Sequence, residues 1–185
     1  MSDEFYLPDA KLVYKKVIDM GSKEVLPFLG LGNIALHSGD LDEAEKWFVQ
    51  ARNLQADHPA VLLAWGRLVA AKALKTTDPA ELKKQLQEAR ALLEKSKLRG
   101  EDSATLHTEL GAVYYKLGVW EKAAESYTEA LRLRRRRNDL RFALGQSYGQ
   151  LGRVKEAEQK YREILALAPD DAEALKALQD LGKRY

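Results

Sequence analysis

His37, His58 and His107 are the only histidines in the chain, and they stand far apart with no metal-ligand spacing among them. There is no cysteine. Disulfides, thiolate metal sites and cysteine nucleophiles are therefore excluded. Ser103 and Ser126 are the conspicuous serine candidates, and neither has a base at a recognisable spacing. No glycine-rich phosphate loop and no nucleophile elbow occur. Paired carboxylates such as Asp42 and Glu43 fall at a helix start, where acidic side chains complement the helix dipole. The residues point to no catalytic centre, no metal site and no cofactor, and so to a protein that is not an enzyme.

The most local charge signal is the run Arg132, Arg134, Arg135, Arg136, Arg137 and Arg141. Cations near a helix C-terminus are favoured by the dipole, and a solvated run of like charge is a common surface feature. The sharper reading is a patch for an acidic protein, phosphate or nucleic acid. The formal net charge of +2 gives no global reason to expect nucleic acid.

The elements that would position these residues are helices. Ala, Leu, Glu, Lys, Arg and Gln dominate the chain, and β-branched residues are sparse. With 45% hydrophobic and 31% charged residues, the chain can bury a core and stay in water. No segment is apolar for long enough to cross a bilayer, so no membrane insertion is expected. The acidic start, MSDEFYLPDAKLVYKK, lacks the apolar run of a signal peptide. A cytoplasmic protein is the default expectation, and a soluble fragment of an exported or anchored protein fits as well.

The stretches "ELGAVYYKLGVWEKAAESYTEALRL" and "FALGQSYGQLGRVKEAEQKYREILAL" align without gaps at a spacing of 34 residues. Leu110-Gly111 falls on Leu144-Gly145, Gly118 on Gly152, Ala123 on Ala157 and Tyr127 on Tyr161. "GLGNIALHSGDLDEAEKWFVQARNL" repeats the pattern at Leu31-Gly32, Gly39, Ala44, Phe48 and Ala51. Small residues at Gly32, Gly66, Gly111 and Gly145 let one helix approach its partner, and Ala44, Ala89, Ala123 and Ala157 do so from the other side. The aromatics Phe48, Tyr127 and Tyr161 are expected to fill the space between adjacent units. Gly39, Gly118 and Gly152 sit where a first helix ends and a left-handed residue is needed.

A period of 34 with Leu-Gly, an aromatic, then Ala and a further aromatic resembles the tetratricopeptide-repeat family, in a phrasing similar to bacterial members. The resemblance implies an all-α fold: a right-handed α-solenoid of helix-turn-helix repeats with a concave groove that holds a partner peptide or helix. It divides the chain into an N-terminal capping half-repeat (1–24), repeat 1 (25–58), repeat 2 (59–103), repeat 3 (104–137), repeat 4 (138–171) and a C-terminal capping helix (172–185). An N-terminal cap and a cut from a longer array both fit the half-repeat. Repeat 2 departs from the pattern: Trp65-Gly66 replaces Leu-Gly, the loop glycine is gone, and 11 residues are inserted. Both of its helices are expected to run long, joined around Thr76-Thr77-Asp78-Pro79, with Asp78 as cap. Leu93 and Ser96 stand where the aromatic and the alanine would be.

In this family the first helix of each pair lines the groove. The residues expected there are Leu26, Leu29, Asn33, Leu36 and His37; Leu63 and Arg67; Thr108, Ala112, Tyr115 and Lys116; and Phe142, Gln146 and Gln150. The helix "VLPFLGLGNIAL" is apolar on nearly every side, a pattern normally buried all round. Its leucines could take an apolar partner segment or a second copy, or be covered by Phe5, Tyr6 and Leu7. Some family members clamp a terminal carboxylate with Lys, Asn and Arg. Of that set only Asn33 is present, with Leu29, Ala64, Thr105 and Glu109 at the other positions, so such a clamp is not expected. The functional expectation is a protein-interaction scaffold with a protein or peptide partner. The alternatives are a self-associating homo-oligomer and, more remotely, binding through the arginine run.

Overall fold

The computed structural model describes residues 7–135 and 137–184. Ten helices run through them: α1 (Leu7–Asp19), α2 (Val25–His37), α3 (Leu41–Leu54), α4 (Pro59–Ala73), α5 (Pro79–Leu98), α6 (Ala104–Lys116), α7 (Trp120–Leu133), α8 (Asn138–Gln150), α9 (Val154–Leu165) and α10 (Ala172–Arg184). The described residues contain no strand. The chain forms two compact units divided between Glu101 and Asp102, the first holding α1–α5 and the second α6–α10.

In the first unit α2 pairs with α3 and α4 with α5. The pairing rests on a glycine seat. A Cβ at Gly32 would collide with the ring of Phe48, and one at Gly66 would lie 2.9 Å from Leu93 Cγ. Phe48 is fully buried, a burial that contributes about 1.5–3 kcal/mol. Gly111 and Gly145 seat Tyr127 and Tyr161 in the second unit, each with a ring carbon 2.7 Å from where a Cβ would be. Each of these three aromatics thus rests on the glycine of its own helix pair. Tyr14 of α1 differs, because its ring lies over Gly30 of the following helix, α2.

In the α2–α3, α6–α7 and α8–α9 pairs the turn is set by one left-handed glycine. Gly118 has φ of 75°, which turns the chain so that Gly118 N–H donates to Tyr115 O and Val119 N–H to Tyr114 O. This double bond satisfies carbonyls that the end of α6 would leave orphaned. Gly39 and Gly152 repeat it.

Repeat 2 spreads its insertion widely. Relative to the α2–α3 pair, α4 is two residues longer and α5 six residues longer, and the remainder falls in the turns. Asp78 accepts from Ala80 N–H at 3.0 Å, with Pro79 in the first turn of α5. Leu93 takes the aromatic's place on the glycine seat. Ser96 is fully buried and donates to Pro59 O at 2.8 Å, tying α5 to the start of α4. Trp65, in the Leu position, packs on the first unit's core and carries the Arg52 guanidinium 4.1 Å over its ring.

Candidate functional site

Ser103, Ser126, His58 and His107 have local structural roles. Ser103 caps α6 by accepting from Leu106 N–H, and buried Ser126 donates back to Lys122 O at 2.7 Å. His58 caps α4, its Nδ1 accepting from Ala60 N–H. His107 is 2% exposed and lies 2.6 Å from Asp102 through Nε2.

The first unit has a groove of about 390 Å³ between the faces of α2 and α4. Five of the expected residues line it: Leu26, Leu29, Asn33, Leu63 and Arg67, together with Tyr14, Gly30, Ala60 and Ala64. Its floor is apolar. Leu26 is 64% exposed, while Leu29 is 5% exposed and belongs to the core. Leu29 is thus a structural residue that only edges the groove. At one end Arg67 Nη1 donates to Asn33 Oδ1 at 2.8 Å, a bond between equivalent positions of successive repeats.

The second unit has a groove of about 530 Å³. Tyr115 of α6 and Phe142, Gln146 and Gln150 of α8 line it, four more of the expected residues. Phe142 is fixed by the ring of Tyr161, centroids 5.4 Å apart. Gln150 Nε2 reaches the Tyr115 hydroxyl at 3.5 Å. The opposite wall is α10, with Glu173, Lys176, Asp180 and Leu181. The sequence spaces Ala172 to Gly182 like the first helix of a further unit, and α10 does start 34 residues after α8; expected as a cap, it contributed no residue to the expected groove.

The remaining expected residues line neither groove. Leu36 is half-buried against the first unit's core, and His37 is exposed at the end of α2. Thr108 donates back to Ala104 O at 2.7 Å. Ala112 is half-buried on α6, and Lys116 is exposed at that helix's end. Of the possible covering residues, Phe5 and Tyr6 lie outside the described residues, and so does the side chain of Leu7.

The arginine run is partly neutralised. Arg132 pairs with Glu129 at 2.7 Å, and Arg137 makes two bonds of 2.7 and 2.6 Å to Asp139. The hydrogen bond from Arg137 holds the Asp139 carboxyl below the usual carboxylate range. Arg141 lies 3.5 Å from Glu163 and donates to Arg135 O. Arg134 and Arg135 are exposed. Arg136 lies outside the described residues.

No described helix is long and apolar enough to cross a membrane. Residues 108–172 match the family model described as tetratricopeptide repeat. Over 63 residues, 34% of this chain, it is 38% identical to the human protein O-mannosyl-transferase TMTC1, of which it spans only 7%. Solved structures share the fold over nearly the whole chain. One is a thermophilic TPR protein of Thermus thermophilus (TM-score 0.72, 22% identity, 95% of this chain and 90% of that one). Another is YrrB, a TPR protein with an unusual peptide-binding site (0.72, 20%, 91% and 81%). A third is the Cut9-Hcn1 hetero-tetramer of APC/C (0.74, 21%, 96% and 34%). The tetratricopeptide fold supports protein–protein interaction scaffolds in general, and its members are generally not enzymes. Residues 108–172 match the tetratricopeptide-repeat model, and the fold along the chain is that of solved tetratricopeptide-repeat proteins.

Proposed function

We propose that the chain is an interaction scaffold, not an enzyme, which holds a partner peptide or helix on the first-helix faces of its repeats. The observation that carries this is the convergence of nine repeat-derived residues on two open grooves, one within each unit. Each groove joins an apolar floor to a few polar groups, the composition of a recognition site. Exposed Leu26 beside half-buried Leu63 supplies desolvation energy, and the amides of Gln146 and Gln150 supply directional bonds.

The test is an affinity capture with Leu26→Asp/Leu63→Asp and Gln146→Glu/Gln150→Glu variants, circular dichroism confirming the fold. The reading expects a partner captured by the wild type to be lost from one or both variants and kept by Arg134→Ala/Arg135→Ala. Capture that survives both groove variants rejects it.

Self-association is a second reading, favoured by Leu12 and Val13 of α1 and Met20 just after it, which are 68%, 57% and 79% exposed. A mass independent of concentration in light-scattering chromatography would exclude it.

A further inference from the structure

Gly30, Gly32, Gly66, Gly111 and Gly145 seat a side chain, each with a heavy atom less than 3.0 Å from an added Cβ. Gly21, Gly39, Gly100, Gly118 and Gly152 have positive φ. Gly149 has neither reason. It lies in the last turn of α8 with helical geometry, and a Cβ there would meet nothing within 4 Å. The repeat does not demand glycine either, since Leu36, Ala70 and Tyr115 stand at the equivalent positions. Glycine weakens a helix relative to alanine, so the fold gains nothing from it here. Gly182 shares this freedom but faces solvent near the end of α10. Gly149 lines the second unit's groove.

Resting on the interaction reading above, we infer that the bare backbone at Gly149 is the seat for a bulky apolar side chain of a basic partner segment. Tyr115 and Phe142 line the same groove with ring surface, and Gln146 and Gln150 offer amides to a partner main chain. The charge of the segment follows from the α10 wall. The carboxylates of Glu173 and Asp180 outnumber the single ammonium of Lys176. Asp180 forms a long, 3.8 Å ion pair with Lys183, an exposed residue of the same helix that does not line the groove. Lysines or arginines on either side of the seated side chain suit the carboxylates of this wall. A removed Cβ lets the partner approach α8 more closely than any other residue would permit.

The test uses the whole chain and three fluorescein-labelled pools of 15-residue peptides. Each peptide is centred on Trp, Phe or Leu and flanked by Lys/Arg, by Asp/Glu or by Gln/Ser. Fluorescence anisotropy at low salt is expected to show the basic pool binding at least tenfold tighter than the acidic pool. Gly149→Leu, which fills the seat, should weaken that binding at least tenfold with an unchanged circular dichroism spectrum. Gly149→Ala should leave Tm unchanged or raise it. An unaffected affinity in Gly149→Leu, a lowered Tm in Gly149→Ala, or equal binding of the basic and acidic pools overturns the seat. If Gln146→Glu/Gln150→Glu alters peptide binding while Gly149→Leu does not, the seat falls and the groove reading stands. If no pool binds, the seat is overturned, while the capture experiment still decides the groove.

Discussion

Substituting alanine for Gly111 and for Gly149 isolates the glycine seat as the element that joins a helix pair. Both residues are helical, so the gain in helix propensity is similar, up to about 1 kcal/mol each. At Gly111 the new Cβ would lie 2.7 Å from two ring carbons of Tyr127 and 3.0 Å from a third. Comfortable carbon contact is about 3.5–4.0 Å, so α6 and α7 must part by about 1 Å or the ring must turn. Tyr127 is 6% exposed and has little room. Overpacking of this kind costs about 1–3 kcal/mol and outweighs the propensity gain. Gly111→Ala should therefore lose about 1–2 kcal/mol net, and Tm should fall by roughly 2–4 °C per kcal/mol. Gly149→Ala meets no neighbour and should be neutral or stabilising. Thermal melts of both variants by circular dichroism provide the assay. Equal shifts of the same sign would refute the distinction between a packed and an open glycine.

Ser96→Ala, which removes the bond to Pro59 O, should cost about 0.5–1.5 kcal/mol in urea unfolding, although most repeats carry an apolar residue at that place. Leu29→Asp should unfold the first unit, seen as lost helical ellipticity, whereas Leu26→Asp should fold normally and affect only binding. Burial pushes the Tyr127 phenol up from its ordinary value of 10.0. Its contribution to stability is present below that value and declines as pH rises above it, because the unfolded chain ionises first. Tyr127→Phe should thus flatten the alkaline loss of stability, and difference spectra at 295 nm should show one tyrosine fewer titrating late.

Much of this was legible because a tetratricopeptide repeat fixes small residues at points of helix contact. The 34-residue spacing located Gly32, Gly111 and Gly145 and the rings they seat. The cap at Asp78 located the start of the long α5. Leu29 was not legible as a core residue, because α2 is apolar on nearly every side and carries no periodicity to orient it. The α10 wall was read as a cap because its surface charges suit a terminal helix, while the same charges also border a groove. Gly149 falls outside the repeat pattern, so only the empty space around it gives it meaning.

The central claim is that partners meet the first-helix faces. The most direct measurement is site-specific photocrosslinking in the native host, with a benzophenone amino acid placed singly at Leu26, Gln146, Glu88 or Lys155. Leu26 and Gln146 border the grooves, whereas Glu88 and Lys155 are exposed on the second helices α5 and α9. The account predicts a heterologous adduct from Leu26 or Gln146 and none from Glu88 or Lys155. Adducts confined to Glu88 or Lys155 would contradict it.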